Sequence, residues 1–240
     1  MHKKGVMISV MIIIGIIILA IFFLAFAMRQ QLVGLMKPRT SDVSGVQIYV
    51  EDCIDAVTQY AVYKIGSQGG SLALGPAHFS NSFLEVNYAF DNGNVFPPLD
   101  SIQSEIESFV NSNLKNCTAG FGGFKAKGMQ VKEGDVSSSV VFGLSSMIVT
   151  VTYPVEVTSG DRTFTIEKFQ RDVPVRLKTI HSETDSFMSG FGNSGYNMTW
   201  LRNMGSNVFI VPEDGSDLLV EENTYSRILG ENYLFLSAIR

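Results

Sequence analysis

The chain has 240 residues, 45% of them hydrophobic, with 22 glycines and a formal net charge of −5. Five of its 18 Lys and Arg residues fall in residues 1–39, which hold no acid, so residues 40–240 carry 13 basic against 23 acidic side chains, net −10. A body that acidic does not suit a nucleic-acid backbone, which needs clustered Lys and Arg, while about 200 residues are enough to bury a sizeable core.

The first element is the apolar run inside "KKGVMISVMIIIGIIILAIFFLAFAMR". Residues 5–28 contain no charge, and fifteen of those 24 are Ile, Leu, Val or Phe. At about 1.5 Å per residue such a helix exceeds the roughly 30 Å hydrocarbon core, so it predicts a retained transmembrane helix. A cleaved signal has a shorter apolar region, although "AFA" ending at Ala27 has the form of a cleavage site. Basic residues flank both sides of the span and leave the charge bias near a tie. The tail before the span is only four residues, and both cysteines and both N-x-T sequons follow it, so residues 1–4 are read as cytoplasmic and the large C-terminal part as extracytoplasmic.

Residues 29–45, with Pro38 and Gly45, read as a stalk. From residue 46 to 65, apolar Val46, Tyr49, Val50, Cys53, Ile54, Val57, Tyr60, Ala61 and Ile65 follow i, i+3, i+4 spacing, a helix ended by Gly66. "FLEVNYAF" alternates as a strand and closes at the turn signal Asp91-Asn92-Gly93-Asn94. A second helix follows Pro97-Pro98, with Asp100 as its expected cap and Leu99, Ile102, Ile106, Phe109, Val110, Leu114 and Cys117 on its apolar face. Residues 120–128 form a glycine-rich loop, and strands follow at 129–132, 140–142 and 147–157. A hairpin turn at Ser159-Gly160-Asp161 leads into "TFTIEKF". Pro154 and Pro174 point to edges or bulges. Residues 175–188 suggest a third helix, and residues 207–240 a meander of three strands turning at Asp214-Gly215 and Gly230-Glu231.

Cys53 and Cys117 lie on the apolar faces of the two helices, and outside the cell such a pair predicts a disulfide. Asn116 and Asn197 begin N-x-T sequons; the first adjoins the bridged cysteine, which leaves Asn197 as the glycosylation candidate. Residues 190–195 fit G-x-G-x-x-G without the strand before and helix after that a dinucleotide fingerprint needs, and read as a loop. The acidic run at 213–217 reads as a turn between strands. The histidines His2, His78 and His181 show no metal-ligand spacing, and no G-x-S-x-G elbow is present. No catalytic residue, metal ligand or cofactor is therefore expected, and the chain is read as not an enzyme. Trp200 with Leu201, and Phe121 with Phe124, are candidates for an exposed contact patch.

"KKG" before the long apolar helix resembles the class III signal of archaeal type IV pilins, which implies processing after Gly5. Val10 stands where those pilins usually carry Glu. "VEDCIDAVTQYAVYKIGSQGG", "IESFVNSNLKNC", "VTYPVEV" and "RILGENYLFLSAIR" together resemble a group of uncharacterised archaeal single-pass membrane-anchored surface proteins. In similar proteins immunoglobulin- or cadherin-like modules follow this ectodomain, which implies a surface or adhesive setting.

The combined expectation is an α+β fold: a transmembrane helix at 5–28, a stalk at 29–45, and at 46–240 two to three helices packed on a mostly antiparallel sheet. The expected function is a membrane-anchored cell-surface structural or interaction protein, pilin-like, with the lipid bilayer and other surface proteins or itself as partners. The alternative is a tethered extracellular ligand-binding or sensor module. A deep pocket of convergent polar groups favours that alternative, and an apolar patch favours assembly.

Overall fold

A computed structural model describes residues 40–240. The tail at 1–4, the apolar span at 5–28, most of the stalk and the processing candidates Gly5 and Ala27 lie outside the described residues. Among the described residues no helix is long and apolar enough to cross a membrane.

Helix α1 (Thr40–Ser67) buries Val46, Val50, Cys53, Ile54, Val57, Ala61 and Ile65, the stripe that i, i+3, i+4 spacing dictates. It begins at Thr40 rather than at residue 46, so the end of the expected stalk is helical. Tyr60, expected on the apolar face, is 47% exposed, and Val62 takes a buried position instead.

Beyond strands β1 (His78–Ser80) and β2 (Glu85–Phe90) comes α2 (Leu99–Thr118), which buries Ile102, Ile106, Val110 and Leu114. Its N-cap is Pro98, at φ −65° and ψ 150°, with no side-chain cap bond. Asp100, the expected cap, sits inside the first turn, because Pro98 already supplies the extended entry into the helix and helical geometry begins at Leu99. There its carboxylate complements the positive end of the helix dipole. The glycine-rich segment is not all loop: a 3₁₀ turn (Ala119–Phe121) and the single-turn α3 (Gly122–Lys125) fill much of it.

The first sheet contains β3 (Gln130–Glu133), β4 (Ser137–Phe142), β5 (Met147–Ser159) and β6 (Arg162–Val173). Strand β5 alternates strictly, with Met147, Val149, Val151, Tyr153, Val155 and Val157 all fully buried. β3 and β4 lie end to end along one of its edges, and β6 pairs along the other through the expected hairpin. The β5–β6 register slips between Thr152 and Val155, so Pro154 does mark a bulge, whereas Pro174 falls just beyond β6. Helix α2 closes the outer edge of β4: Ser138 N donates to Asn111 Oδ1 at 2.7 Å, and Val140 N to Glu107 Oε1 at 2.8 Å.

Helix α4 (Leu177–Ser194) runs past residue 188 and absorbs most of the G-x-G-x-x-G stretch. Phe187, Met188 and Phe191 hold its last turns on the core, and Gly192 faces Phe90 so closely that an added Cβ would lie 3.2 Å from the ring. After the one-turn α5 (Met198–Arg202), the meander forms as expected from β7 (Asn207–Glu213), β8 (Ser216–Ile228) and β9 (Glu231–Ile239). Its second turn is Leu229-Gly230, one residue earlier than expected, with φ of 54° and 89°.

These strands form a second sheet, in the order β1-β2-β9-β8-β7. The β2–β9 pair is parallel, Tyr88 opposite Ala238. The expectation of one mostly antiparallel sheet thus becomes two sheets, whose inner faces share a core with α1, α2 and α4. Helix α1 touches both: Arg171 of β6 pairs with Asp55 and Glu51, and the buried Tyr233 hydroxyl of β9 donates to Val62 O at 3.1 Å.

Candidate interaction surface

The second sheet is apolar on both faces. Along β7, β8 and β9 the inward positions Val208, Ile210, Leu219, Tyr233 and Phe235 join the main core. The intervening positions are also apolar, and the ladder lines them up across the outer face. One row is Leu236, Val220 and Phe209; the next is Tyr88, Ala238, Leu218 and Val211. Alternate side chains of a strand point to opposite faces, so a strand apolar at both parities has two faces to cover.

The inner face is covered by helices. On the outer face Phe79, Val86, Leu218 and Ala238 form a separate small cluster, supported by Leu84, Tyr88 and Leu236. Beyond it Phe209 stays 53% exposed, Leu234 49% and Val211 40%. Phe83, in the β1–β2 turn, is 93% exposed. Covering a Leu or Phe side chain completely is worth roughly 1.5–3 kcal/mol, so this face gains from any complementary cover.

At one end the face deepens into a groove of about 910 Å³ whose apolar lining includes Tyr63, Phe83, Leu84, Leu229, Leu234 and Leu236. The charged residues of its lining, Glu85 and Glu231, are both acids. Polar groups frame the rest of the face. Asn232 and Asn207 donate to Glu222 at 2.8 and 3.3 Å and hold its carboxyl below the usual range. Arg240 lies 4.6 Å over the Tyr88 ring and binds Asp91, whose carboxyl that guanidinium likewise holds low. An apolar centre inside a polar rim is the anatomy of a protein interface.

The residues singled out in the sequence sit elsewhere. Cys53 and Cys117 meet at disulfide distance, Cα atoms 5.7 Å apart, and join α1 to α2. Asn197 is exposed and caps α5, its Oδ1 accepting from Trp200 N at 3.0 Å, while Nδ2, the atom that carries a glycan, takes no part in that bond. Asn116 is exposed beside the bridge. The G-x-G-x-x-G stretch follows a helix, having become part of α4, and its last glycine caps that helix at φ 60°. The acidic run makes the β7–β8 turn, and its Asp217 accepts from the Tyr196 hydroxyl.

His78 Nδ1 pairs with Gly75 O at 2.9 Å, and His181 Nε2 with Pro97 O at 2.8 Å. Among the described residues no three His, Cys, Asp or Glu side chains gather as a metal group. The aromatic patch candidates are mostly core: Phe121 is 1% exposed and Leu201 7%, with Phe124 and Trp200 packed against them. The exposed apolar face lies on β7–β9 instead. Its signal in the sequence was the unbroken apolar runs "VFIV" and "YLFL", which strict alternation would not produce.

No protein-family model, no curated protein and no solved structure matches the chain.

Proposed function

We propose that this chain is a membrane-anchored cell-surface interaction protein, held by its N-terminal apolar helix, whose extracytoplasmic domain engages a partner through the outer face of the second sheet. The observation that carries the reading is that face: an apolar surface reaching from Phe83 to Val211 with acids at its groove. The Cys53–Cys117 pair supports an oxidising compartment. The partner is another surface protein or a second copy, the latter being the pilin-like case. The reading assigns no catalytic step.

A ligand-binding or sensor role is the second reading. It is favoured by the size of the groove, since small-molecule sites run from about 300 to 1,000 Å³.

The test uses the full-length chain in its own membranes, with a photo-crosslinking residue at Phe209 or Phe83 and, as control, at Lys168 on β6. The expected result is a discrete protein adduct from the two face positions, lost when Leu234→Glu is added. Equal labelling from Lys168, or a full-length chain found in the soluble fraction, overturns the proposal. Mature N-terminal sequencing separates the assembly modes: processing after Gly5 supports the pilin-like one.

A further inference from the structure

Helix α4 and strand β8 enclose a polar cluster that the interaction face does not use. Glu221, 1% exposed, and Asn223, fully buried, sit two residues apart on the inner face of β8. Opposite them lie Glu183 and the fully buried Thr184 of α4. The turn ahead of β7 brings in Gly205 and Ser206.

Each of the three larger side chains is held at one polar atom and free at another. Glu221 Oε2 accepts from the Thr184 hydroxyl at 3.1 Å, with Ser206 as a further hydrogen-bond partner of its carboxylate. Glu183 Oε1 accepts from Gly205 N at 3.1 Å. Asn223 Nδ2 donates to Ser206 Oγ at 2.9 Å. Left over are Glu221 Oε1, Glu183 Oε2 and Asn223 Oδ1, three buried acceptor oxygens without a donor. Neither carboxylate belongs to an ion pair among the described residues, and the Glu183 charge adds to the cost of ionising Glu221.

Unpaired buried acceptors and uncompensated negative charge are each costly, so a positive species is favoured there. Orienting bonds on one atom that leave a second oxygen free are how outer-shell contacts prepare a metal ligand. Oxygen-only donors select a hard cation, and mixed carboxylate and carboxamide oxygens suit calcium.

We propose that Glu183, Glu221 and Asn223 bind a calcium ion between α4 and β8, with water completing its shell. Three ligand side chains, of which two are acids, differ from the three-acid or histidine groups whose absence is noted above. Ser206, which accepts from Asn223, also borders a surface groove with Leu201, Arg202 and Val208.

The experiment takes the full-length chain in detergent, freed of divalent ions with a chelator, at pH 8. Titration with calcium chloride up to about 10 mM, spanning the affinities of extracellular calcium modules, is followed by calorimetry and by the melting midpoint. One ion per chain is expected, with a rise of several degrees. Glu183→Gln, at the partly exposed end of the cluster, is expected to weaken binding at least tenfold, and Glu221→Gln to abolish it. Asp172→Asn on β6, exposed and distant in sequence, is expected to keep the full response. No heat and no rise in the parent chain overturns the proposal, since the oxygens are then met by a proton or water. A response that survives in both Gln variants also overturns it, as nonspecific binding to an acidic surface.

Discussion

Gly66, in the last turn of α1, packs directly on the backbone of Leu234 in β9: a Cβ there would lie 2.4 Å from Leu234 O and 2.7 Å from the Tyr233 hydroxyl. The contact seats the helix end behind the strand that carries the groove. Gly66→Ala is expected to destabilise the fold by roughly 1–3 kcal/mol, because a backbone carbonyl cannot rotate away as a side chain can. A urea midpoint unchanged from the parent would remove this contact as a constraint.

Cys53 and Cys117 close a loop across a sequence separation of 64. Constraint of the unfolded chain predicts that losing the bridge costs about 4 kcal/mol. The Cys53→Ser/Cys117→Ser pair, whose serines approximate the reduced thiols in size, is expected to unfold at a clearly lower denaturant concentration. Reduction of the parent chain is expected to produce the same loss, measured by circular dichroism in the two redox states.

Burial beside Glu183 pushes the Glu221 carboxyl up to about 7, against an ordinary value of 4.5, while bonds from Ser206 and Thr184 oppose the rise. Tyr233, from the adjacent β9, is the other titratable group coupled to it, and its own ionisation lies far above this range. In the unfolded chain Glu221 ionises first, so stability in chelated buffer falls as pH rises from about 4.5 to about 7 and then levels. The loss is on the order of 3 kcal/mol. Glu221→Gln is expected to flatten that part of the profile, read as urea midpoints across the range. A parent profile equally flat would show that Glu221 ionises freely when folded.

Phe83 is 93% exposed. Phe83→Ser is therefore expected to leave the unfolding free energy, from urea melts, within about 0.5 kcal/mol of the parent while reducing adsorption to a phenyl-agarose column. Ile106→Ala, in the centre of α2 and fully buried, is expected to cost about 2–5 kcal/mol under the same conditions. Equal effects of the two would mean that Phe83 is packed in solution.

Much of the local structure was legible in the chain. The α1 and α2 stripes and the alternation of β5 are periodic signals that need no distant partner. The Cys53–Cys117 match followed from two thiols each facing inward on such a stripe. Misreadings arose where a neighbour outweighed a local cue. Pro98 displaced Asp100 from the cap, and Phe187 and Phe191 kept a glycine-rich stretch helical because their rings had a core to fill.

Periodicity within a dozen residues determined which segments coil, which extend and where they turn, because those choices depend on side chains that neighbour each other along the chain. The tertiary structure alone decided that β2 runs parallel to β9, that β3 and β4 share one edge of β5, and that Glu221 lies in the dark beside Glu183. It also decided which apolar sheet face receives helices and which remains open. These outcomes join residues far apart in sequence, and they depend on how the whole set of elements packs rather than on any one segment's preference.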